Sequence, residues 1–195
     1  MRKSLGVVCV FLGIACLLGA VGFVVYNRWE AENAATTTQQ LLTQIRENLP
    51  EAPVTQPTMP DTAVREMTTV QVDGYDCVGV LTIPTLGLEL PVLADWSYAK
   101  LKKAPCHYYG SCYGTDFVIA AHNYNAHFGR LSQLQPGDPV LFTDAEGVTH
   151  TYEVVLLETL VKEATEEMIA SGFDLSLYTC TTGGASRITV RCTKK

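Results

Sequence analysis

Apolar and polar residues follow three patterns along the chain, and each pattern predicts a different kind of structure. Residues 5–26 form one uncharged, mostly apolar run of 22 residues. Residues 28–69 are mainly polar, with prolines spaced from residue 50 onward. From residue 70 to residue 192, short apolar runs alternate with turn residues. The chain is therefore predicted to contain a membrane anchor (5–27), a stalk (28–69) and one folded domain (70–195).

The N-terminal run has the length of a transmembrane helix. At about 1.5 Å per residue it would extend about 33 Å, against a hydrocarbon core of about 30 Å. Arg2 and Lys3 precede it, so the positive-inside rule places residues 1–4 in the cytoplasm and the rest of the chain outside the cell. A cleaved signal peptide is the alternative, although its apolar region would be only about 7–15 residues long.

The stalk region carries two local signals. Leu41, Leu42, Ile45 and Leu49 recur at near-helical spacing, which predicts a short amphipathic helix. The prolines that follow predict a semi-rigid linker without a core of its own. They are Pro50, Pro53, Pro57 and Pro60.

The folded domain is predicted to be mostly β. Short apolar runs separated by Gly, Pro and Asp turns are typical of a closed barrel or a sandwich. These runs cover residues 78–83, 89–93, 117–121, 139–143, 150–156, 175–180 and 187–192. Short helices are predicted at residues 97–102 and 165–171.

Composition and charge exclude two broad classes. Charged residues make up 17% and apolar residues 47% of the chain, which rules out disorder throughout. The net charge is −6, without the basic stripe of a nucleic-acid-binding protein. The seven cysteines are an odd number, so at least one thiol is unpaired unless chains cross-link.

Three residues near strand ends could carry chemistry. Cys180 closes one predicted strand and Arg187 opens the next, so a hairpin through Gly183 and Gly184 brings them to the same rim. Arg191 would lie about 13 Å further along the strand, and is the poorer partner. His122 follows the buried run 117–121, and His127 lies in the loop after it. The alternative is that Cys180 is a buried thiol and Arg187 a solvated strand end.

Together these residue types form a set suited to thiol chemistry. A nearby cation lowers the pKa of a thiol, and either a protonated histidine or an arginine can supply that charge. Arginine can also donate hydrogen bonds to an oxyanion. One histidine, one cysteine and one arginine at neighbouring strand ends are therefore a richer arrangement for chemistry than a lone histidine.

In these and several further motifs, the chain resembles the sortases, the membrane-anchored cysteine transpeptidases of Gram-positive bacteria. Residues 80–92 (VLTIPTLGLELPV) are similar to the first barrel strands of the family. Ala121-His122 with Phe128 and Leu131 matches the histidine segment, and residues 135–138 (QPGD) match the Gly-Asp turn. Residues 176–180 (SLYTC) with Arg187 match the TLxTC…R signature, with Ser in place of the first Thr.

The resemblance implies a closed eight-stranded β-barrel with short helices behind one N-terminal transmembrane helix. It implies Cys180 as the nucleophile, His122 as the general acid and Arg187 as the residue that holds substrate and oxyanion, with Thr179 lining the peptide groove. The substrate would be a surface protein with a C-terminal LPxTG-like sorting signal. A thioacyl enzyme would pass it to an amine of a peptidoglycan precursor or a pilin. No cofactor or metal is expected, and the subclass is left open.

Weaker features leave alternatives open. Cys106, His107 and Cys112 lack a second ligand pair for zinc, so they predict either two free thiols or a disulfide. Glu163, Glu166 and Glu167 predict a solvated helix face, with calcium binding as the alternative. The rival functions are a non-catalytic barrel that binds cell-wall peptides and a cell-wall Cys/His hydrolase.

Overall fold

The computed structural model describes residues 2–50 and 65–195. Helix α1 (Arg2–Asn48) opens the chain, and the described residues divide into two compact units after Asn33. The first unit consists of helical residues whose large apolar side chains are exposed from Val7 to Trp29. Within the described chain, α1 is the one helix long and apolar enough to cross a membrane. The apolar helix predicted from the N-terminal run is therefore present as the first part of α1.

The second unit, Ala34–Lys195, contains the end of α1 as well as the β domain. Leu41, Leu42 and Ile45 are buried there. They pack in one cluster with residues of the β domain that include Val72, Cys77, Val80, Leu93, Ala104 and Cys106. The predicted short amphipathic helix is thus the last part of α1, and the compact unit begins at residue 34 instead of residue 70. Of the predicted proline linker, Pro50 is described, whereas Pro53, Pro57 and Pro60 lie outside the described residues.

The β domain, taken as the described residues 65–195, contains nine strands and two short α-helices. The helices are α2 (Tyr98–Leu101) and α3 (Thr165–Ile169). The strands are β1 (Val70–Val72), β2 (Tyr75–Ile83), β3 (Leu88–Leu93), β4 (Cys106–Tyr109), β5 (Phe117–Ala120), β6 (Pro139–Asp144), β7 (Thr149–Val161), β8 (Leu175–Cys180) and β9 (Ser186–Lys194). Single turns of 3₁₀ helix occur at Pro84–Leu86 and Leu131–Gln133.

Strands β2 to β9 close into an eight-stranded barrel, as predicted. The order around the sheet is β1-β2-β3-β4-β5-β8-β9-β7-β6, and β2 also pairs with β6. Gly79 makes this closure possible: its φ is +155°, and a Cβ there would lie 2.1 Å from the carbonyl oxygen of Thr143. A side chain would therefore force β2 away from β6.

The barrel interior is filled by side chains that alternate inward along each strand. Fully buried members of this core include Leu81, Phe117, Ile119, Phe142 and Leu177. The sequence pattern located seven of the nine strands. It missed the three-residue β1 and also β4, whose residues Cys-His-Tyr-Tyr lack a long apolar run. It also ended β7 too early, since the later half of that strand is largely exposed.

Candidate active site

Three neighbouring strands bring the predicted residues together. Strands β5 and β8 are parallel, with Ala120 opposite Tyr178. His122 and Cys180 each follow this pair by two residues, so they lie at the same edge of the sheet. Adjacent strands lie about 4.8 Å apart. On the other side of β8, Cys180 is paired directly with Arg187 of antiparallel β9. Cys180 therefore lies between the histidine and the arginine.

All three side chains line one cavity of about 210 Å³. Its wall also carries four aromatic rings, which we call the aromatic wall: Trp96, Tyr98, Tyr108 and Tyr178. The ring centroids of Trp96 and Tyr108 are 5.5 Å apart, as are those of Tyr108 and Tyr178. An extended peptide segment with apolar side chains suits such a surface. A larger cavity, of about 740 Å³, is lined by residues that include Met67, Ala94, His107 and Tyr113, and by none of the three predicted residues.

Cys180 differs from the other described cysteines of the barrel in its exposure. It is half-buried, whereas the other four are fully buried. Burial raises the pKa of Cys77 to about 11 and the pKa of Cys106, Cys112 and Cys192 to about 12. Those four remain neutral thiols at physiological pH, which leaves Cys180 as the thiol able to meet a substrate.

The loop that carries His122 is compact. The Phe128 N–H donates to the carbonyl oxygen of His122 (3.1 Å), and the carbonyl oxygen of Tyr124 accepts from the N–H groups of His127 and Gly129 (both 2.9 Å). A Cβ on Gly129 would lie 2.5 Å from the carbonyl oxygen of Asn123. Residues 122–129, which we call the histidine loop, therefore hold one conformation around a glycine that cannot be enlarged without movement.

His127 is buried, although the sequence suggested only a loop residue. It is fully inaccessible, and its Nε2 lies 2.8 Å from Thr38 Oγ1 on α1. Burial and then the charge of nearby His122 lower the pKa of His127 to about 4. The ring of Tyr124 lies close to both imidazoles, at 5.0 Å from His122 and 5.5 Å from His127. No signal in the local sequence predicted the contact with α1, because 89 residues separate its partners.

The two C-terminal arginines have different surroundings. Arg187 Nη1 donates to the backbone carbonyls of Gly184 (3.1 Å) and Ser186 (3.2 Å). Arg191 is 2% exposed and donates to Glu158, to Ser176 and to the carbonyl oxygen of Glu167. Its guanidinium is held within the structure, whereas that of Arg187 faces the cavity with Cys180. The predicted hairpin register is the one observed.

Thr179 has a different setting from the one expected. It is 1% exposed and does not border the cavity. Its Oγ1 donates to the carbonyl oxygen of Ala121, 2.8 Å away. Successive residues of a strand face opposite sides, so Thr179 points inward while Tyr178 and Cys180 face the cavity. Thr179 therefore ties β8 to the end of β5 just before His122, and the expectation of a peptide contact is corrected to this buried link.

One described cluster has ligand types that suit zinc. The side chains of Cys112, Asp144 and His150 are buried, and their ligand atoms lie within 4.8 Å of one another. The carboxylate of Asp144 already accepts four hydrogen bonds, two at each oxygen. The donors are the N–H groups of Glu146 and Val148, the Tyr113 hydroxyl and His150 Nε2. These bonds satisfy its acceptor capacity, so hydrogen bonding alone accounts for the cluster.

The remaining sequence features occupy separate places. Cys106 and Cys112 are free thiols in different hydrophobic clusters. Both ring nitrogens of His107 lie against backbone carbonyl oxygens, those of Ala94 and Gly110. The glutamates of the acidic run around α3 are exposed, as expected for a solvated face.

Comparisons with known proteins agree with this geometry. A family model described as a sortase domain matches residues 81–195. The structure is similar to sortase A from Corynebacterium diphtheriae, with a TM-score of 0.56 and 26% identity over 62% of this chain and 61% of that chain. It is also similar to sortase C1 from Streptococcus suis, with a TM-score of 0.55 and 27% identity over 61% and 73%. No curated protein matches the chain.

A further similar structure carries information on the fold alone. Sortase C1 from Streptococcus agalactiae has a TM-score of 0.57 and 24% identity over 64% of this chain and 70% of that chain. The chain spans less than two thirds of the Corynebacterium protein and somewhat more of the two streptococcal ones. Structures named as class A and class C resemble it to the same degree, so the similarity does not select a subclass.

Proposed function

Because the chain belongs to the sortase family of cysteine transpeptidases, we propose that it cleaves a C-terminal LPxTG-like sorting signal and transfers the surface protein to an amine. The observation that carries this proposal is the position of Cys180 on β8, between His122 after β5 and Arg187 on β9. All three border the same cavity. A peptide-binding barrel without catalysis has no need of this arrangement.

In the first half-reaction, the Cys180 thiolate attacks the carbonyl carbon of the scissile peptide bond. A C–S bond forms, and the carbonyl electron pair moves onto oxygen, where the Arg187 guanidinium donates hydrogen bonds to the oxyanion. When the intermediate collapses, the C–N bond breaks and the leaving amine takes a proton from the His122 imidazolium. The products are a thioacyl enzyme, a released peptide and a neutral His122.

In the second half-reaction, an amine of a peptidoglycan precursor or a pilin attacks the thioester. Neutral His122 accepts the proton that the attacking amine loses, and the C–S bond breaks to restore the thiolate. A new amide bond replaces the one that was cleaved. The imidazolium and thiolate of the starting enzyme are regenerated, so the cycle needs no external oxidant or cofactor.

The proposed location follows from the charges beside the anchor. Arg2 and Lys3 precede the apolar part of α1, which favours an N-terminus in the cytoplasm. The barrel would then lie outside the cell, where sorting signals and cell-wall amines meet. Protease added to intact protoplasts should remove the barrel, and full protection of the barrel would contradict this orientation.

The decisive experiment is to trap the acyl enzyme on the full chain in lipid nanodiscs. A panel of sorting-signal peptides is added, and intact mass followed by peptide mapping locates the adduct. We expect the adduct on Cys180, and its transfer to an added amine. Cys180→Ala should abolish it.

Cys192→Ala provides a matched control at a buried thiol of the same barrel, and it should retain the adduct. Adduct formation followed only by release to water would indicate a hydrolase. Binding of the peptides without any adduct would indicate a non-catalytic barrel. Either outcome contradicts the proposed transpeptidation.

A further inference from the structure

We propose that the C-terminal part of α1 positions the catalytic histidine, through a hydrogen bond between Thr38 and His127. His127 is inferred to be a positioning residue, and Thr38 is its anchor on the helix. This inference rests on the proposed function, because it assigns a role relative to His122. On this inference, the C-terminal part of α1 belongs to the active site.

The helix segment is firmly attached to the barrel. Thr38 is 1% exposed, and Leu41 and Ile45, one and two turns further along, are 1% and 0% exposed. The two aliphatic side chains share a hydrophobic cluster with residues of strands β1 to β4. The Arg46 guanidinium also forms an ion pair with Glu89 on β3. Thr38 is therefore presented to the histidine loop by a segment that is itself held in place.

The direction of the hydrogen bonds follows from counting protons. The Thr38 hydroxyl has one proton, and it donates that proton to the carbonyl oxygen of Lys103, 2.7 Å away. Towards His127, Thr38 Oγ1 can then only accept, so Nε2 of His127 carries the proton. The imidazole is neutral, as its complete burial favours. Replacing the hydroxyl by a methyl group would leave both the Nε2–H and the Lys103 carbonyl without this partner.

The histidine loop carries this constraint to His122. The His127 N–H donates to the carbonyl oxygen of Tyr124, and the next residue, Phe128, donates its N–H to the carbonyl oxygen of His122. The Tyr124 ring lies near both imidazoles. A shift of His127 towards a new partner therefore moves the backbone that ends at His122. Displacement of a catalytic group by about 1 Å can cost up to about 10²-fold in rate.

Thr38→Val is the direct test, because it has nearly the same shape and lacks the hydroxyl. Full-length protein in nanodiscs is assayed with a sorting peptide, and rates are normalised to the fraction of Cys180 that can be acylated. We expect kcat to fall about tenfold with little change in KM, since peptide binding does not involve Thr38. Thr38→Ser keeps the hydroxyl and should restore most of kcat.

Thr43→Val provides the matched control. Thr43 lies on the exposed face of the same helix, and its hydroxyl bonds only to the Gln39 carbonyl of the preceding turn. This variant should keep the wild-type kcat. Wild-type turnover in Thr38→Val, or equal losses in Thr38→Val and Thr43→Val, would overturn the inference.

A second measurement separates this inference from the proposed function. The chain has four histidines, so ¹⁵N-histidine NMR gives few signals, which His→Gln variants assign. We expect Thr38→Val to shift the ring signals of both His127 and His122, and Thr43→Val to shift neither. An unchanged His122 signal would overturn the coupling whether or not the protein turns over peptide. Loss of turnover in the wild type itself would count only against the proposed function.

Discussion

Cys180 and Arg187 are directly opposed across the β8–β9 hairpin, in antiparallel register. Four residues further along β9, Arg191 is paired with Ser176 and its guanidinium is buried. Both arginines lie on one face of the strand, so direction alone does not separate them. The two arginines differ in their distance from Cys180 and in their hydrogen-bond partners.

Substitution of Arg187 should therefore affect mainly turnover, and substitution of Arg191 mainly stability. Arg187→Ala is expected to lower turnover of a fluorogenic sorting peptide by about 10²–10³-fold, as for loss of an oxyanion donor. Arg187→Lys should not fully restore it, because an ammonium cannot donate two parallel hydrogen bonds. Both variants should keep the wild-type circular dichroism spectrum.

Arg191→Ala should mainly affect stability. Removing the guanidinium leaves Ser176 and the Glu167 carbonyl without a donor and breaks the ion pair with Glu158. We expect the free energy of unfolding to fall by about 3 kcal/mol or more, with turnover per folded molecule within a few-fold of wild type. An essential Arg191 and a dispensable Arg187 would contradict the assignment.

The two histidines of the loop should also differ. His122→Ala is expected to reduce acylation by about 10²-fold or more, because the leaving amine loses its proton donor. His127→Ala should lower kcat less, by about tenfold, while also lowering the melting temperature, because it empties a buried site and removes the bond to Thr38. Initial rates and thermal unfolding of the same preparations check this, and a larger kcat loss in His127→Ala would argue against His122 as the acid.

Stability should fall on mild acidification because of His127. Its pKa is lowered from 6.5 to about 4, so between these values the unfolded chain binds a proton that the folded protein does not. The free energy of unfolding therefore keeps its full value above about pH 6.5. It decreases by at most about 3 kcal/mol as the pH falls towards 4. Urea unfolding in detergent across this range measures the loss.

His127→Gln isolates this contribution, because glutamine does not titrate. Its free energy of unfolding should depend less on pH than that of wild type in the same window. Burial opposes ionisation of Asp144, yet hydrogen bonds from His150 and its other donors hold the pKa of Asp144 below its usual value. The stability that Asp144 contributes is therefore lost only below about pH 4, outside this window. Identical pH profiles for the two proteins would contradict the buried neutral His127.

Gly129 should tolerate no side chain. In Gly129→Ala the new Cβ would lie 2.5 Å from the carbonyl oxygen of Asn123, so the histidine loop must open and kcat should fall about tenfold or more. Gly114→Ala is the control, because nothing lies within 4 Å of its Cβ position. Equal activity of Gly129→Ala and Gly114→Ala would show that the loop conformation does not matter.

Local patterns predicted much of the fold and the principal site residues. The short apolar runs marked most barrel strands, and the hairpin spacing placed Arg187 opposite Cys180. These features depend on residues close in sequence, where spacing and strand alternation restrict the geometry. Alternation along β8 also implied that Thr179, between Tyr178 and Cys180, faces away from the cavity, which the motif alone did not reveal.

By itself, the sequence determined the apolar N-terminal helix, the β character of the domain and the thiol, imidazole and guanidinium that could react. Tertiary structure alone decided that β5 lies beside β8, which sets His122 next to Cys180. It also decided that α1 continues into the second compact unit and that Thr38 meets His127. Contacts between residues so far apart depend on which surfaces pack together, and local periodicity marks a buried face without identifying the surface that covers it.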